Sequence, residues 1–194
     1  MNNEQDQLAV IPLFNAVLSH DIAKLKLLLA QNVDLEVRNS DDATAIFLAS
    51  REGYADMVSI LLKNGSQVNA QDNCGYTPLR EAVEKGYVDV VQYLLDNGAT
   101  PNTVDMWGWT LLHSAVVGGN IDIVKLFIEC GLEIDACNHE FMTPLHYACL
   151  EGNKGIVQLL LEYGANAYVV NDEGDTAFDI VKEENLEILN ILEK

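Results

Sequence analysis

The side chains able to do chemistry in this 194-residue chain are few and scattered. Cys130 and Cys137 stand seven apart across a turn, where a disulfide or a pair of metal ligands could form. His139-Glu140-Phe141-Met142-Thr143 opens like a zinc-helix motif. That motif needs two His four residues apart on one helix face. Thr143 stands where the second His must be, so the motif is rejected. The chain has no phosphate-cradling Gly-rich loop with Lys-Ser/Thr, no G-x-S-x-G elbow and no C-x-x-C. The sequence therefore predicts no catalytic residue, no metal site and no cofactor.

The elements that carry these side chains repeat. Thr44, Thr77, Thr110, Thr143 and Thr176 follow one another at 33-residue steps. Gly65, Gly98, Gly131 and Gly164 keep the same step, as do Gly53, Gly86, Gly119 and Gly152. A fixed period of this length means a solenoid. Thr143-Pro144-Leu145-His146-Tyr147-Ala148 shows how each unit opens. The Thr143 hydroxyl can cap the first helical turn, and Pro144 takes the first helical position, where its missing N–H costs nothing. Leu145 and Ala148 then fall on one helical face.

On these residues the chain resembles the ankyrin-repeat family. Thr77-Pro78-Leu79 and Thr143-Pro144-Leu145-His146 are similar to that family's helix-opening signature, and Asn97-Gly98-Ala99-Thr100-Pro101-Asn102 to its repeat-closing turn. The resemblance runs from about Gln7 to Lys194. It implies an all-α solenoid of about six helix–turn–helix units joined by β-hairpin-like fingers. It also implies that His113 and His146 make hydrogen bonds between repeats. Asn69 and Asn102 occupy a finger slot that some family members present for asparagine hydroxylation; a finger hydrogen bond is the reading preferred here.

A single domain over residues 1–194 is expected, with repeats at about 7–38, 39–71, 72–104, 105–137, 138–170 and 171–194. The first and last are caps, whose outer faces meet water. In the first, Ile11 takes the Thr slot, His20 and Asn32 take Gly slots, and Lys24 and Lys26 face solvent. Asn is the next best residue after Gly for a left-handed turn. Asp42 and Phe141 replace the finger Gly, which leaves the turn at Phe141 open to question. Arg80-Glu81 stand where His-Leu is usual. The last unit is one residue short between its helices and carries Glu183, Glu184, Glu187 and Glu193 on its outside. The chain is expected to end there as a complete protein.

Thirty acidic residues against 11 basic give a net charge of −19. From His139 onward there are 11 acidic residues and 3 lysines. Such a surface repels phosphate backbones and anionic membranes, so nucleic acid and membrane are excluded as partners. It favours a protein partner with a basic surface or segment. The start, Met1-Asn2-Asn3-Glu4-Gln5-Asp6, has neither a basic nor an apolar stretch, and no run reaches the length of a membrane span. Without a secretory signal the four cysteines read as reduced thiols, and an intracellular, cytoplasmic monomer is expected.

The informative residues lie at the family's variable slots, on finger tips and on the first-helix face that lines the concave surface. From the third to the fifth repeat the expected partner-binding residues are Tyr76, Glu84, Met106, Trp107, Trp109, His139, Glu140, Met142, Leu150 and Glu151. Both tryptophans of the chain are among them. Aromatics and Met are enriched at binding hot spots. Trp109 and Phe141 could instead pack between neighbouring fingers. The expected function is a non-catalytic protein–protein interaction scaffold. Two other readings are an accessory or regulatory protein of an enzyme, for example a bacterial ankyrin protein supporting an oxidoreductase, and a reader of methylated lysine built from Tyr76, Trp107, Trp109 and Glu140.

Overall fold

A computed structural model describes residues 12–181 and 185–193. Ile11, Glu183 and Glu184, named above for the caps, lie outside that range, as does the acidic start. The described residues fall into two compact units, one up to Thr100 and one from Pro101.

The first unit contains α1 (residues 12–18), α2 (Ile22–Ala30), α3 (Ala45–Arg51), α4 (Ala55–Lys63), α5 (Pro78–Glu84) and α6 (Val88–Asp96). The second contains α7 (Leu111–Val117), α8 (Ile121–Glu129), α9 (Pro144–Leu150), α10 (Lys154–Glu162), α11 (Ala177–Ile180) and α12 (Leu186–Leu192). The architecture is an all-α repeat solenoid. Within each unit an inner helix packs on its own outer helix and on the next inner one, as α3 does on α4 and α5, and α7 on α8 and α9.

Sequence explains why the two kinds of helix differ. An inner helix is covered on several sides, so it must be apolar or hydrogen-bonded almost all round. In α9 every residue from Pro144 to Cys149 is buried, and α3 buries Ala45 to Ser50. An outer helix buries one stripe. Met57, Val58 and Leu61 form it in α4; Val90, Val91 and Leu94 in α6; Ile123, Val124 and Phe127 in α8; Ile156, Val157 and Leu160 in α10. These positions obey the same 33-residue step as the threonines.

The threonines cap unequally. Thr77 accepts from the Arg80 N–H, while Thr110 and Thr143 form reciprocal capping boxes with His113 and His146. At Thr176 the backbone N–H and the hydroxyl both donate to the Asp179 carboxylate, at 2.9 and 2.6 Å. Thr44 makes no side-chain cap, and its buried hydroxyl has no partner. The closing slots behave as expected: Gly98 has φ 87° and Asn32 has φ 56°. His20, in the other Gly slot, also takes φ 52°; its ring stacks on Tyr54 at 4.1 Å, and Nε2 meets Asp56 at 2.9 Å.

Candidate partner-binding surface

The fingers are five-residue turns, each built on one acidic or amide side chain. Asn39, Asp72, Asp105, Asn138 and Asn171 occupy one slot at 33-residue steps. In every case Oδ1 accepts the N–H groups two and four residues on, at 2.8–3.0 Å. The backbone N–H of the same residue reaches the carbonyl four residues on, at 2.9–3.1 Å, closing the turn like a hairpin tip. An isolated antiparallel bridge, Val104–Thr110, flanks one finger. Short Asn and Asp side chains suit this role because they mimic a backbone turn.

This geometry sorts the finger side chains. The residue two after the Asx faces water: Asp41, Cys74, Trp107, Glu140 and Glu173 are all exposed. The residue four after it turns inward: Ala43 and Met142 are buried, and Tyr76, Trp109 and Asp175 half-buried. The sequence-predicted surface therefore divides. Trp107, Met106, Glu84, His139, Glu140, Leu150 and Glu151 are exposed. Met142 is not available to a partner; its N–H is held by Asn138, and its carbonyl accepts from His113 Nε2 at 3.0 Å.

Within the second unit Trp109 packs on Tyr147, with centroids 4.6 Å apart, and lies 5.6 Å from His113. Asn138 Nδ2 donates to the Tyr147 hydroxyl at 3.0 Å, and that hydroxyl lies 3.5 Å from Glu140 Oε2. Burial, then the neighbouring Glu140 charge, raises the Tyr147 pKa. Burial lowers that of His113 to about 4, so its ring is neutral. The Thr110 N–H can only donate, and it points at His113 Nδ1 at 3.2 Å. Nδ1 is thus the acceptor, and Nε2 carries the proton donated to Met142. These contacts fix His113 as a structural strut between two repeats, and they fix Trp109 as its cover. On the same finger as Trp109, Trp107 and Met106 are 51% and 67% exposed. The fingers of the fourth and fifth repeats are joined by the His139 N–H to the Trp107 carbonyl at 3.0 Å.

Within the first unit the third-repeat finger carries its own arrangement. The Arg80 guanidinium lies 4.0 Å over the Tyr76 ring, and Nε donates to Glu84 at 2.9 Å. Glu81 beside it is buried; burial, then the Glu84 charge, raises its pKa.

Phe141 is the residue that sequence reasoning left out of the site. It sits in the left-handed finger slot at φ 57°, where Gly75, Gly108 and Gly174 sit with φ near 80–90° and Asp42 takes 61°. A bulky L-residue there costs on the order of 1–2 kcal/mol. Its ring does not recover that by burial, since Phe141 is 58% exposed. The signal in the sequence was the replacement of a turn Gly by an aromatic.

No group of three or more metal-ligating side chains occurs among the described residues. All four cysteines are free; Cys149 is buried and pushed up to about 12 by that burial, while burial, Asp135 and Glu133 raise Cys137. No described helix is long and apolar enough to cross a membrane.

The family model for ankyrin repeats, a unit of three copies, matches residues 13–105 and 100–171. The chain belongs to the ankyrin-repeat family. It is 32% identical to an ankyrin repeat protein of Rickettsia bellii, over 36% of this chain and 39% of that one. It is also 35% identical to a protein of Caenorhabditis elegans named as a glutaminase, over 41% of this chain and 13% of that one. A match of 36% identity to serine/threonine-protein kinase 12 of Arabidopsis thaliana covers 32% of this chain and 14% of the kinase. The chain thus spans less than two fifths of each of these relatives. Ankyrin repeats are as a class protein–protein interaction modules and typically non-catalytic.

Proposed function

We propose that this protein is a non-catalytic scaffold that binds a partner protein through its finger and first-helix residues, with Trp107 as the leading anchor of the second unit. The observation that carries this reading is the exposure of Trp107 and Met106 on a finger whose backbone is held from both sides. Asp105 grips its turn, and the His139 N–H holds the Trp107 carbonyl. A rigid, solvated aromatic is the usual form of a binding anchor. Leu150 and Glu151 at the end of α9 are read as its flanking contacts, and Tyr76 with Glu84 as separate contacts on the first unit. The partner is read as basic, to match the acidic surface.

The methyl-lysine reading finds less support. Of the cage residues Tyr76, Trp107, Trp109 and Glu140, Trp109 is half-buried and packs on Tyr147 at 4.6 Å, which leaves less of its ring to face a cation. For an accessory role beside an enzyme the partial matches to named enzymes are the support, and they share only short stretches with this chain.

The test uses a displayed library of random 16-residue peptides, selected against the immobilised protein. Enriched peptides are then resynthesised and titrated. Trp107→Ala should cost about 2–4 kcal/mol of binding and leave the melting curve unchanged. Raising salt should slow association more than it speeds dissociation. A Trp107→Ala protein that unfolds, or that binds as the parent does, refutes the assignment.

A further inference from the structure

We infer that Phe141 is a second binding anchor, held in a strained turn for a partner segment that carries an apolar side chain flanked by Lys or Arg. The inference rests on the proposed binding role and extends it to a residue and a ligand chemistry. Three observations meet at this position. First, Phe141 is the one aromatic in a slot that otherwise holds Gly or Asp, and it adopts the left-handed φ of 57° that the turn demands. Gly would occupy that slot without strain. Second, the ring is spent on solvent. At 58% exposure it neither fills the core nor closes the finger, whose hydrogen bonds all come from Asn138 and the backbone. Strain that the fold does not need points to function. Third, its surroundings specify a ligand. The neighbouring finger presents Trp107, and the two turns abut closely enough that a Cβ on Gly108 would lie 2.9 Å from the His139 ring. On the other side the Asp172 N–H donates to the Glu140 carbonyl at 3.1 Å, so the turn that carries Phe141 and the turn that follows it adjoin and each bears an exposed carboxylate, Glu140 and Asp172. Glu173 is exposed in the same turn.

The residues 105–109, 138–142 and 171–175 contain no Lys or Arg. Two exposed aromatics, Trp107 and Phe141, on adjoining turns that carry carboxylates and no cation complement an aliphatic or aromatic side chain with cationic neighbours. The same rings also accept Lys or Arg against their faces. An anionic lipid or a phosphate backbone would meet repulsion here. So would a second copy of this chain, whose tips are equally acidic.

The experiment compares the parent, Phe141→Gly, Phe141→Asn and Trp107→Ala against the peptides selected by the parent from the random 16-residue library. Peptides with Leu, Ile, Met, Phe or Trp between basic residues should be enriched. Phe141→Gly should raise the melting temperature by about 2–6 °C, because the turn strain is relieved. It should also weaken peptide binding at least tenfold, and Phe141→Asn should weaken it equally. A fall in melting temperature for Phe141→Gly would show that the ring supports the fold, and would overturn the inference. So would Phe141→Gly binding within twofold of the parent while Trp107→Ala loses binding; the scaffold reading would then stand without Phe141. Enrichment of acidic peptides, or of peptides without an apolar residue, would overturn the ligand chemistry. Concentration-dependent dimerisation of the parent that disappears in Phe141→Gly would assign the surface to a second copy. Failure of any peptide to be enriched would count against both readings.

Discussion

His113 should make this protein acid-sensitive in a defined window. Its ring is buried within the second unit, and burial holds its pKa near 4, with the Met142 carbonyl and the Asp105 charge only partly opposing that. In the unfolded chain a His titrates near 6.5. The folded pKa lies below the unfolded one, so the contribution is fully present above pH 6.5. Between 6.5 and 4 the unfolded chain takes up a proton that the folded chain refuses, and stability falls. Below pH 4 both states are protonated and the contribution is gone. At 1.36 kcal/mol per pH unit the gap is worth about 3 kcal/mol. The structure shows why the proton is refused. Nδ1 already accepts the Thr110 N–H, so protonating it would set two donors against each other.

The informative variant is His113→Gln. Its carbonyl can replace Nδ1 in the capping box, since Gln suits the third helical position. It removes one of the two donors to the Met142 carbonyl, leaving only the Asn138 N–H, and does not titrate. At pH 7.5 it should be less stable by about 1–2 kcal/mol, the usual result of losing one buried hydrogen bond. As pH falls the parent loses about 3 kcal/mol from His113 alone and the variant loses none of it. The two stability curves should therefore cross between pH 6 and 4. Carboxylates common to both proteins, such as Asp56, cancel in the comparison. Urea unfolding followed by tryptophan fluorescence is the assay, because Trp109 packs against His113. Parallel curves from pH 7.5 to 4 would refute the argument.

Two glycines separate backbone strain from collision. Gly98→Ala should cost about 1 kcal/mol, because φ is 87° and no atom lies near the added Cβ, whereas Gly53→Ala should cost more, since its Cβ would lie 2.9 Å from the Tyr87 ring. Equal melting temperatures for the two would show that Tyr87 yields freely. Gly98→Val should exceed Gly98→Ala and reach about 1–2 kcal/mol, as β-branching adds to the strain. Deleting residues 175–194 removes α11 and α12, which pack on α9 and α10, and uncovers Leu160; the shortened chain should aggregate or melt earlier, and a monodisperse, equally stable product on size exclusion would refute the capping role. Native alkylation should label Cys74, Cys130 and Cys137 before Cys149, whose thiol is buried and raised to about 12; rapid labelling of all four would show that α9 opens readily.

The repeat was legible because several of its positions tolerate few residue types. A helix opening wants Thr and Pro, and a left-handed turn wants Gly or Asn, so Thr143, Pro144, Gly98 and Asn32 could be read directly. The outer stripe of Ile156, Val157 and Leu160 was equally open to reading, since one buried face leaves a period in the apolar residues. The binding surface was harder for a physical reason. Along a helix, exposure follows from spacing alone. Along a finger, it follows from which N–H groups the Asx oxygen captures. Asn138 captures those of Glu140 and Met142, and so turns Met142 inward. Asp105 does the same to Trp109 and leaves Trp107 outside. Read as a string, Met106 to Trp109 and His139 to Met142 look like one exposed run. With the Asx slot recognised at Asp105 and Asn138, the alternation follows from turn chemistry. Phe141 escapes even that rule. The slot tells which φ the residue must adopt, but not whether its ring then finds cover. Only the packing of the neighbouring turns decides that, and here they leave the ring in water. A residue that breaks the local turn preference and gains no burial in return is where the demands of folding stop accounting for the sequence.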